Sequence, residues 1–186
     1  NYIFYINGVP SGSGNSVQTF SFTSSELGIR DGTGGGAEPF SGSMDEVRIY
    51  DRVLTAAELK AQYEAAAPDK TNTSVSTPQG TGRLDSGLAG YWPLDNGSGT
   101  TATDLSTNAT NGTLANGPTW TTGRIGSAVQ FDGTNDEVSI STLPGLTGAA
   151  DTPFSFAFWV NTSTVDTDEI IGWGPYRRCR PVNIAV

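Results

Sequence analysis

The chain has 186 residues, a formal net charge of −9, 24 glycines, no histidine and one cysteine, Cys179. That charge makes nucleic acid and an anionic membrane face poor partners, because neutralising phosphates takes clustered Lys and Arg; neutral polymers and divalent cations remain. A lone thiol excludes an intrachain disulfide and a thiolate zinc centre, and the lack of histidine excludes Ser-His-Asp and Cys-His catalysis.

Tyr2–Ile6 alternates as a strand, and Asn7-Gly8 after it is a two-residue hairpin signal, since both residues tolerate positive φ. The opening Asn1-Tyr-Ile-Phe-Tyr-Ile has no basic lead-in or cleavage signal and reads as the interior of a longer protein. Ser11–Ser16 is polar and glycine-rich, hence loop; Phe20 and Phe22 mark a second strand, Leu27–Arg30 a third, and Gly32–Pro39 a flexible loop. Met44–Tyr50 alternates again: Asp45, Val47 and Ile49 share one face, and Glu46, Arg48 and Tyr50 the other. Thr55-Ala-Ala-Glu58 is a capping box, with Leu54 and Leu59 as its hydrophobic staple, so a short helix over Thr55–Ala65 is expected before Pro68. Residues 67–86 are rich in Ser, Thr and Pro and read as a linker. Gly87–Asp95 opens a new strand, Val138 and Ile140 mark another, and Phe154, Phe156, Phe158 and Val160 line one face of a third, with Trp159 on the other. No apolar run reaches membrane-spanning length.

Several of these stretches resemble one family. Over Phe40–Tyr63 a small-residue turn, Asp-Glu before an alternating strand and Leu-Thr-x-x-Glu follow the closing motif of laminin-G-like, concanavalin A-like jelly rolls of secreted bacterial proteins. YIFYINGV at 2–9 is similar to a hairpin from the middle of that fold. GLAGYWPLD at 87–95, Asp104-Leu105-Ser106, Asn111–Leu114, Trp120 and GRIGSAVQFDG at 123–133 are similar to its opening half. The resemblance implies an all-β, two-sheet antiparallel jelly-roll sandwich with one short helix. It makes residues 1–66 the C-terminal part of one such domain, 67–86 a linker, 87–174 the N-terminal part of another, and 175–186 an atypical tail. Two architectures stay open: a window across tandem repeats, or two parts that complement each other into one permuted sandwich. The family's middle Trp-His-x-Val-Ala strand has no counterpart here.

Catalysis of glycoside hydrolysis needs two carboxylates flanking one bond. Asp45 and Glu46 are adjacent in a strand and are expected on opposite faces, while Asp166–Glu169 reads as a solvated turn. Phe131–Glu137 instead crowds oxygen ligands on a short turn, so Asp132, Asn135 and Asp136, with Asp45 from the strand before the helix, are candidate calcium ligands. The alternative is a hairpin turn whose Asp132 side chain bonds its own backbone. The resemblance adds that such folds carry a structural calcium. Trp120 and Trp173 are the candidate aromatic contacts for a sugar, whereas Trp92 and Trp159 are expected in the core. The expected function is a non-catalytic carbohydrate-binding or adhesion module. It would sit in a larger extracellular or cell-surface protein, with glycans or neighbouring domains of the same polypeptide as partners. A ligand-free structural spacer and a fragment of a glycoside hydrolase are the alternatives.

Overall fold

A computed structural model of the chain describes residues 2–14, 27–30, 40–66, 84–141, 143–144, 146, 153–163 and 171–173. Phe20 and Phe22, the glycine-rich 32–39 stretch, most of the linker, the 166–169 acidic run and the tail with Cys179 lie outside the described residues. The strands are β1 (Tyr2–Ile6), β2 (Val9–Gly14), β3 (Leu27–Arg30), β4 (Ser41–Tyr50), β5 (Leu88–Trp92) and β6 (Thr101–Ala102). They continue as β7 (Gly112–Ala115), β8 (Thr119–Thr122), β9 (Ser127–Asp132), β10 (Glu137–Ile140), β11 (Ser155–Asn161) and β12 (Ile171–Trp173). The helix α1 covers Ala56–Ala65.

Asn7 and Gly8 take φ of 53° and 73°, the left-handed pair that closes a two-residue hairpin between β1 and β2. The Ser11–Ser16 stretch, expected to be loop, is mostly strand: Val9–Gly14 pairs antiparallel with β1. Its exposed, polar residues carry no alternation, so the tight turn and the backbone ladder, not burial, make it a strand. One five-stranded sheet runs β12-β3-β10-β7-β6; the second runs β11-β4-β9-β8, with β5 also on β4. Between them lies a single cluster with Ala102, Leu114, Val138 and Ile140 from the first sheet. Met44, Val47, Ile49, Trp92, Val129 and Phe131 enter it from the second. This is an all-β sandwich.

β4 is the centre of the second sheet. One edge pairs with β11 from Ser43 to Tyr50. The other is divided: β9 takes Ser41–Met44 and β5 takes Val47–Tyr50. Asp45 stands opposite Trp159 and Arg48 opposite Ala157, so Glu46 and Val47 together face the one residue Phe158. That is a β-bulge, and Glu46 sits in it at a φ of 57°. The bulge corrects the face assignment. Met44 and Val47 both enter the core, which leaves Asp45 and Glu46 together on the outer side.

After β4, Thr55 caps α1. Its hydroxyl accepts from the Glu58 N–H at 3.3 Å, and Glu58 Oε2 accepts from the Thr55 N–H at 2.8 Å. The helix is tied to the sheet by the Tyr63 ring stacked on Trp159, centroids 5.4 Å apart. Leu54 is buried, and its N–H donates to Ser155 Oγ at 3.0 Å.

Candidate functional site

The end of β5 and the start of β9 both leave β4 at its bulge, so the sheet forks there. Three carboxylates meet in the fork. Glu46 accepts from the Tyr91 hydroxyl at 2.9 Å and is ion-paired with Arg48, whose guanidinium lies 4.0 Å over the Tyr91 ring. Asp45 Oδ2 accepts from the Ile125 N–H at 2.9 Å, and Asp95 Oδ1 accepts from the Ser127 N–H at 2.6 Å. Both of these donors belong to the 123–127 turn, which is closed by the Gly123 N–H bonding to the Gly126 carbonyl at 3.0 Å. The turn presses onto the carboxylates: a Cβ on Gly123 would stand 2.6 Å from Asp45 Oδ2, and one on Gly126 would strike Asp95. That close approach is what the two glycines of the 123–126 GRIG segment provide.

Asp45 is 3% exposed and Glu46 4%. Burial pushes the Asp45 carboxyl up to about 6, opposed by the bond from Ile125 and reinforced by the charges of Glu46 and Asp95. Burial, with Glu46 beside it, also raises the Tyr91 hydroxyl, though Arg48 pulls against it. Asp45 Oδ1 has no hydrogen-bond partner among the described residues.

The sites expected from sequence are distributed differently. Asp132 and Asp136 do share a turn: Asp136 Oδ2 accepts from the Asp132 N–H at 2.9 Å, and Asp132 Oδ1 from the Thr134 N–H at 2.8 Å. The turn is not a hairpin, since β9 and β10 lie in different sheets and it carries the chain from one to the other. Asn135 is exposed on it. Asp45 is not there. Ser41 is the residue of β4 opposite Asp132, and Asp45 lies four residues, roughly 13 Å, along the strand. Trp120 pairs with Val129 on the core side and its Nε1 donates to the Gly99 carbonyl at 2.8 Å, so it closes the sandwich edge. Trp173 is in β12 opposite Leu27, at the margin of the first sheet. Trp92 is buried as expected; Trp159, half-buried, lies under Tyr63 and Arg124 on the outer side.

Sequence reading missed Glu46, Tyr91, Asp95 and Asp104. Asp104 binds β5 from its other side, accepting from the Tyr91 N–H at 2.9 Å, the Ser106 N–H at 2.8 Å and the Thr110 N–H at 2.8 Å. The available signal was the pair of aspartates 95 and 104 bracketing a turn-rich segment after a strand.

The outer face of the second sheet carries one further feature. Asn161 pairs with Ser43, Ser43 with Gln130, and Gln130 with Thr119, so a row of amides and hydroxyls crosses β11, β4, β9 and β8. Their strand neighbours Met44, Val129, Val160 and Trp120 pack on the core, which turns the row outward.

A calcium ion of the kind implied by the resemblance needs oxygen ligands not already spent on the protein. At the 132–136 turn, Asp132 Oδ1 and Asp136 Oδ2 are used by main-chain N–H groups. In the fork, likewise, Asp45 Oδ2 and Asp95 Oδ1 are used by main-chain N–H groups, while Asp45 Oδ1 is buried with no hydrogen-bond partner among the described residues. Among the described residues no three acidic, His or Cys side chains form a metal cluster by themselves, so main-chain or water oxygens would complete any such site. No helix among the described residues is long and apolar enough to cross a membrane.

Residues 1–60 match the laminin-G family model described as the concanavalin A-like lectin/glucanases superfamily. No curated protein and no solved structure matches the chain.

Proposed function

Starting from the match of residues 1–60 to the concanavalin A-like lectin/glucanases superfamily, we propose that this chain is a non-catalytic carbohydrate-binding module. In this reading it binds glycan on the outer face of its second sheet. Lectins and glucanases share the superfamily, so the choice between binding and hydrolysis rests on residues. The observation that carries the binding reading is the row Asn161–Ser43–Gln130–Thr119. Side-chain amides and hydroxyls both donate and accept, as the hydroxyls of a neutral sugar require, and four adjacent strands present them at strand spacing, about 4.8 Å apart.

Hydrolysis is less well supported. A general acid with a raised pKa must reach the glycosidic oxygen, across from a second carboxylate. Asp45 has the raised pKa but is buried under the 123–127 turn, and Glu46 is held by Arg48 and Tyr91. An extracellular or surface setting, with the chain as one module of a larger protein, belongs to the same proposal.

A glycan array with the wild-type chain and an Asn161→Ala, Gln130→Ala double variant tests it. Binding by the wild type, lost at least tenfold in the variant at an unchanged melting temperature, is the expected result. No glycan bound by the wild type leaves the ligand-free spacer as the better reading. Release of reducing sugar from a bound glycan contradicts the non-catalytic one.

A further inference from the structure

The sandwich is assembled across one covalent joint. Residues before the joint supply β3 and β4, and among the described residues every sheet partner of these strands lies beyond it. They are β10 and β12 for β3, and β5, β9 and β11 for β4. The core divides the same way. Phe40, Met44, Val47 and Ile49 enter it from the first segment, and Trp92, Val129, Phe131, Val138 and Ile140 from the second. Inside the first segment, the one described strand pairing is the β1–β2 hairpin, whose Gly8 rests against Lys60 and Tyr63 of α1.

The place of β4 is therefore a slot defined by the second segment, with β11 along one side and β5 and β9 along the other. Its fastenings also cross the joint. The Leu54 N–H donates to Ser155 Oγ at 3.0 Å, and Thr162 Oγ1 donates to the Ser41 carbonyl at 2.7 Å. Arg124 Nε donates to the Ala66 carbonyl at 3.0 Å, at the end of α1, and Tyr63 stacks on Trp159. Nothing in these contacts fixes which copy of the chain supplies the first segment, because only residues 67–83 join the two covalently.

We propose that the slot is also the self-association surface of this chain, and that its partner is a second copy. Two copies exchange their first segments, β4 and α1 of each seating in the second segment of the other, and close as a two-fold dimer. The exchanged dimer keeps the strand pairs, core contacts and fastenings of two separate chains, so the joint decides between them. A polar joint of this kind holds the two segments of one chain at an effective concentration of about a millimolar. Dilute chain therefore closes on itself, while chains that fold together at high concentration exchange. The exchange does not depend on glycan binding.

The test uses the whole chain with Cys179→Ser and one new cysteine per variant. Ser43 and Asn161 are direct partners on β4 and β11. Thiols at Ser43→Cys in one copy and Asn161→Cys in another come within disulfide reach only when β4 of the first sits in the sheet of the second. The two variants, one isotopically labelled, are unfolded together, refolded as a mixture and oxidised, and the disulfide-linked heterodimer is identified by mass. Its yield should rise about tenfold for each tenfold rise in chain concentration below roughly 1 mM, with the circular dichroism of wild type. Ser43→Cys mixed with Thr121→Cys is the control, since β9 separates β8 from β4. Heterodimer no more abundant with Asn161→Cys than with Thr121→Cys overturns the proposal. So does a yield that does not change with concentration.

Discussion

Glu58 and Glu46 show what single residues contribute. Hydrogen bonds from Arg52, and then from Thr55, hold the Glu58 carboxyl down at about 2. A carboxyl depressed on folding stabilises the native state above its unfolded range and loses that contribution as pH falls toward the folded value. Melting temperature should therefore drop between about pH 4.5 and 2 in wild type, and Glu58→Gln should show a shallower drop. Equal slopes in the two proteins would mean that the Arg52–Glu58 pair is broken in solution. Glu46 lies in the left-handed region at φ 57°, which costs a residue with a Cβ about 1–2 kcal/mol. Glu46→Ala and Glu46→Gly both delete the contacts to Tyr91 and Arg48, but only glycine relieves the backbone. Denaturant melts should find the alanine variant less stable than the glycine variant by about 1 kcal/mol.

Elements differ in how openly their sequences announce them. The start of α1 was legible because all its determinants lie within six residues: Leu54, the Thr55 hydroxyl, the Glu58 carboxylate and Leu59. Thr55→Ala should cost roughly 1 kcal/mol in a denaturant melt, and adding Glu58→Ala should cost less than its separate effect, since the two act as one box. The bulge in β4 was not legible. Alternation through Met44–Tyr50 placed Asp45 and Glu46 on opposite faces, and only the change of partner from β9 to β5 forces the extra residue there. The same limit separates the 132–136 turn from the fork. Asp132 and Asp136 cluster in sequence, whereas Asp45 and Asp95 meet only through pairing across the sheet. Trp120 lies between the exposed Thr119 and Thr121, and by alternating with them it packs, partly buried, against the core. β2 went unseen because a polar hairpin strand buries nothing that patterning registers.

At the scale of the molecule, Ile49 from the first segment and Trp92 and Phe131 from the second share one core cluster. Ile49→Ala should therefore destabilise by about 2–5 kcal/mol, and tryptophan fluorescence, which reports residues 92, 120, 159 and 173, should follow the same single transition as circular dichroism. Two separated transitions would show the segments folding independently. The placement of β4 also has a consequence in time. Leu54, just past the strand, bonds to a residue 101 positions later, and β11, which lines a whole edge of β4, ends later still. At about 5–20 residues per second, a nascent chain carries Met44, Val47 and Ile49 on the ribosome for roughly 5–20 s before their covering strand exists. Throughout that interval the β11-facing edge of the central strand stays unpaired, even after β5 and β9 have been made, so newly made chain should need a chaperone's shelter more than refolded chain does.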